Sequence, residues 1–72
     1  MNMLLVAAKK GFEAKRFEAL ANLEILFNNS VGIGEHSDIQ EEITKWVDQL
    51  AGSEDAVAAL DANFTIEGKV KN

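Results

Sequence analysis

The side chains with chemistry to offer gather near the middle of the chain, where Glu35, His36 and Asp38 are followed by Glu41 and Glu42. An imidazole beside carboxylates can hold a divalent metal ion. Yet His36 is the only histidine, so no i, i+4 pair of the zinc type can form. Acidic residues also gather at helix starts, because the first backbone amides of a helix carry partial positive charge. His36 is therefore read as a solvated loop residue, and no metal ligand is assigned. Val31-Gly32-Ile33-Gly34 holds a G-x-G but lacks a third glycine, a P-loop lysine and a preceding strand, so no nucleotide cofactor is expected. The glycines are read as turn residues, with Val31 and Ile33 closing the open end of a hairpin.

Nucleophilic catalysis needs a hydroxyl or thiol with a base and an orienting group. The chain has no cysteine, and no serine or threonine lies in a recognisable arrangement of that kind. We expect no enzymatic activity, no catalytic residue and no cofactor. The missing cysteines also exclude a disulfide scaffold and a thiolate metal site. Lys9, Lys10, Lys15 and Arg16 make a small basic patch, but a net charge of −5 opposes direct binding to nucleic acid. An acidic second half could meet a basic partner, although a solvated acidic face is the plainer reading.

The longest apolar run, Met3 to Ala8, is six residues, against about 20 needed to span a bilayer. Lys9 and Lys10 follow that run, the wrong order for a signal peptide. A cytoplasmic protein with no membrane contact is expected, so the sequons Asn28-Asn29-Ser30 and Asn63-Phe64-Thr65 are read as chance.

The elements that must position these residues follow from spacing. The turn formers Asn28, Asn29, Ser30, Gly32 and Gly34 make the one obvious break, and there is no proline. The first helix is expected over about 3–27, closed by Asn28 or Asn29 in the left-handed conformation. The second is expected over about 38–63, opened by a capping box in which Ser37 and Gln40 satisfy each other's backbone amides. Gly52-Ser53 could interrupt it. However, Ile39, Ile43, Trp46, Leu50, Ser53, Val57, Leu60 and Phe64 keep alternating steps of four and three straight through the glycine. One continuous helix is therefore predicted, with Trp46 on its core seam and Gly52 as a possible bend.

Two helices of nearly equal length suit an antiparallel hairpin, and charge agrees. Residues 1–34 carry a net +1, residues 35–64 a net −7 and residues 65–72 a net +1. The helices differ in the width of their apolar faces. The second shows a seam of about 100°, enough for one neighbour. The first carries a stripe of Leu5, Phe12, Ala19, Leu23 and Leu26, and beside it a second stripe of Phe17, Leu20 and Phe27. One partner helix cannot cover both. Phe12, Phe17, Leu20, Leu23 and Phe27 are thus the candidate dimer or partner face, and Ile25, pointing away from both stripes, is a candidate outside contact. A chain of 72 residues seldom builds a sufficient core alone, so a homodimer forming a four-helix bundle is expected. After Asn63 the apolar residues Phe64, Ile66 and Val70 fall on even positions, which predicts an extended tail or short strand over 64–72. Pairing with Leu4-Leu5-Val6 is a minor alternative.

Asn22-Leu23-Glu24-Ile25-Leu26, Asn28-Asn29, Val31-Gly32-Ile33-Gly34-Glu35-His36-Ser37-Asp38-Ile39 and Glu41-Glu42-Ile43 resemble a small protein recurring in large tailed bacteriophages, with Ser30 where proline is expected. That resemblance covers about a third of the chain and implies no activity or binding residue. It implies a context, a phage accessory or virion-associated protein in a bacterial cytoplasm. The expected role is a non-enzymatic interaction module that binds a host or phage protein, with a small virion structural component as the alternative.

Overall fold

The computed structural model describes residues 1–28 and 38–72. It is an antiparallel pair of α-helices, α1 over Met3–Asn28 and α2 over Asp38–Asn63. Each has 26 residues, about 39 Å at 1.5 Å per residue. Ser37, His36, Glu35 and the glycine segment lie outside the described residues, as does Asn29.

α2 runs unbroken through Gly52, as its seam requires. Every seam residue from Ile39 to Phe64 is buried or half-buried, with Ser53 almost wholly enclosed. The Ser53 hydroxyl donates to the Leu50 carbonyl at 3.0 Å, so a polar group sits in the core without an orphaned hydrogen bond.

α1 answers with a seam of the same rhythm. Asn2, Leu5, Lys9, Phe12, Arg16, Ala19, Leu23 and Leu26 alternate steps of three and four, and all are buried or half-buried. Ala19 and Leu23 form the enclosed apolar centre, at 0% and 5% exposure. Lys9 and Arg16 belong to this seam, which breaks up the basic patch expected from the sequence. Their stems lie along the helix interface while their heads reach acidic residues of α2. Lys9 Nζ lies 2.6 Å from Asp61 and Arg16 Nε 2.9 Å from Glu54. Both pairs place position i opposite 70 − i and so report one register.

At the C-terminal end of α1 only Asn28 of the two expected closing residues is described, Asn29 lying outside the described residues. Asn28 is the last helical residue, and no described non-glycine residue has a positive φ. Its side-chain amide donates to the Glu24 carbonyl at 2.8 Å, so it stays helical by bonding back one turn. At the other end Asn2 is the cap, its Oδ1 accepting from the Leu5 amide at 3.0 Å.

The tail leaves α2 as expected and then reverses. Phe64 and Val70 form an isolated antiparallel bridge, the Thr65 amide donates to the Lys69 carbonyl, and the Lys71 amide donates to the Asn63 carbonyl. Gly68 makes the reversal possible, with φ of +84° and its α-carbon turned toward Asn2, where a Cβ would meet Nδ2 at 2.7 Å. The tail hydrogen-bonds to Asn2 and, among the described residues, forms no backbone hydrogen bond with Leu4–Val6: the Asn2 amide donates to the Ile66 carbonyl at 2.8 Å. Because the tail turns, its even-numbered apolar residues share no buried face. Phe64 is half-buried, while Ile66 and Val70 are exposed.

Candidate interaction face

The two stripes of α1 part company. Leu5, Phe12, Ala19, Leu23 and Leu26 turn toward α2, whereas Phe17 and Phe27 remain 64% and 61% exposed and Leu20 37%. Of the six candidate contact residues, Leu23 is thus core and Phe12 half-buried core. Phe17, Leu20 and Phe27 are brought together on one open groove of about 530 Å³, whose floor is formed with Leu23 and Leu50. Ile25 is exposed at 60% but does not line that groove.

Spacing explains the arrangement. Phe17, Leu20 and Phe27 step by three and seven, so they form a stripe that lies beside the α2-facing seam on one flank. The floor residue Leu50 comes from α2, so the groove exists because the helices pair at this register. The Arg16 guanidinium lies over the Phe17 ring, 5.7 Å from its centroid, and Arg16 is itself paired with Glu54. Phe17 also borders a more polar depression with Glu13, Glu54, Val57 and Asp61.

On the other flank the surface is polar and tied down. Gln49 Nε2 donates to the Lys15 carbonyl at 2.9 Å and to Glu18 Oε1 at 2.8 Å. Lys15 lies 5.8 Å from the Phe12 ring centroid, and Lys45 lies 4.5 Å from that of Trp46. Beyond the first turn of α1, three of the four exposed large apolar side chains line the groove, and Ile25 stands apart from it.

Among titratable groups, Lys9 holds its proton above the ordinary lysine value of 10.5, through its hydrogen bond to Asp61 and then the charge of that carboxylate. This is the signature of a structural ion pair. Among the described residues no cluster of three or more His, Asp or Glu side chains is placed to hold a metal ion. The acidic group around His36 falls partly outside them. No described helix is long and apolar enough to cross a membrane.

The residues that sequence reasoning missed are Lys9 and Arg16. The signal was present in Leu5-Lys9-Phe12-Arg16-Ala19, which keeps the four-three rhythm if long cationic side chains are admitted to the seam. Comparison with protein-family models, with curated proteins and with solved structures finds no match to this chain.

Proposed function

We propose that this chain is a non-enzymatic protein–protein interaction module, a helical hairpin that associates with a second copy and presents its acidic α2 to a host or phage protein. The observation that carries the reading is the second stripe of α1, which pairing with α2 leaves open. Large aromatic side chains lining an open groove mark a binding surface more often than isolated exposed residues do. The likeness of residues 22–43 to small tailed-phage proteins supports a phage accessory role in the bacterial cytoplasm. It adds no activity, and the reading has no step that calls for a metal or cofactor.

Light scattering coupled to size-exclusion chromatography, over a series starting at low micromolar protein, tests the self-association. The expected mass is about twice the 7.9 kDa of one chain. Phe17→Glu should return it to one chain while circular dichroism keeps its helical signal, because Phe17 faces the groove and not α2. A folded wild-type monomer across the whole series would remove the reading.

A further inference from the structure

We propose that the occupant of the groove side of α1 is α1 of a second copy, lying antiparallel with Phe17 at the two-fold axis. This rests on the self-association read above and assigns it a partner surface and a register.

Area comes first. A compact protein of this mass exposes about 4,400 Å², whereas this chain exposes 5386 Å². The difference of about 1,000 Å² matches one partner's share of a standard interface, about 800 Å². A second copy of the same 26-residue helix can cover the stripe along its length.

Complementarity then selects the register. With Phe17 on the axis, position i of one copy shares a layer with 34 − i of the other. Leu20 shares a layer with Ala14 and Phe27 with Ala7, so each of these layers holds one large and one small side chain. Both alanines are exposed within one chain. Lys10 meets Glu24, twice by symmetry. Both are exposed, and among the described residues neither side chain has an ion pair within its own chain. Moving the axis to lie between Phe17 and Leu20 puts Glu13 against Glu24, and a parallel pairing sets Lys10 against Lys10 and Glu24 against Glu24. Like charges at such positions disfavour both alternatives.

Charge reversal tests the register at low ionic strength. Lys10→Glu and Glu24→Lys each replace two attractive pairs by two repulsive ones and should each weaken the homodimer about 10-fold. Mixed in equal amounts, the two variants should form a heterodimer, since a carboxylate then faces an ammonium in both layers that join position 10 to position 24. The double variant should recover wild-type affinity, and 1 M salt should compress all these differences. If the wild type dimerises but neither single variant weakens it, or the mixture gives no heterodimer, the register is wrong while the self-association stands. A wild type that is monomeric throughout overturns both.

Discussion

At the scale of single residues, three glycines separate cleanly by what surrounds them. Gly11 and Gly52 sit within helices, with open space where a Cβ would project. Gly52→Ala should therefore stabilise the hairpin by up to about 1 kcal/mol through helix propensity and a less flexible unfolded chain. Gly68→Ala should do the reverse, because its φ of +84° strains any other residue and its Cβ would strike Asn2. Urea midpoints for the two variants should move in opposite directions. Asn2→Ala removes the side-chain cap of α1 and should cost about 1 kcal/mol. Lys9 provides a pH test. Its folded proton affinity is raised, so what its pair with Asp61 contributes is complete below the unfolded lysine value and is lost as pH rises through the folded one. The stability gap between wild type and Asp61→Asn should be constant from neutral pH to about pH 9 and shrink as pH rises above the ordinary lysine value of 10.5. A gap that widens on the alkaline side would show that the pair works by another route.

At the scale of elements, α2 was legible and α1 only half so, for one physical reason. A seam read by counting apolar residues is complete in α2, where even Ser53 fits because its hydroxyl bonds within its own helix. In α1 two seam positions are filled by Lys9 and Arg16, whose aliphatic stems pack while their charges reach Asp61 and Glu54. Reading them as a surface patch misplaces them. The exposed stripe was nevertheless visible, since Phe17, Leu20 and Phe27 lie off the phase of the first seam. The tail's reversal was not legible from alternation, because period two describes a straight strand and the turn depends on one glycine and on Asn2 from the far end of the sequence. Ser53→Ala should change stability by less than about 0.5 kcal/mol, as the hydroxyl's partner is a carbonyl already in the helix ladder. A larger loss in chemical denaturation would mean that the hydroxyl has a partner outside its helix.

At the scale of the whole molecule, the hairpin is a rod of 51 × 18 × 14 Å. Its radius of gyration is 16.2 Å, against about 11 Å for a compact chain of 72 residues. Among the described residues no large side chain is fully buried. Such a shape gives each helix one neighbour; with the self-association proposed above, the unfolding temperature should rise with protein concentration. Calorimetry at about 10-fold different concentrations checks this, and a concentration-independent transition would point to a rod that stands alone.

The contact between Asn2 and the Ile66–Gly68 turn has a mechanical consequence. It brings residue 2 and residue 70 to the same pole of the rod. A force applied between those two points pulls across the helix axes and loads the pair in peeling, one layer at a time, where tension along the axes would have to shear every layer together. From that pole inward stand the clasp at Asn2, then Lys9 with Asp61, then Arg16 with Glu54, the order in which peeling would reach them. Held by these points the hairpin is a soft zipper, and a second copy lying along α1 is what would stiffen it.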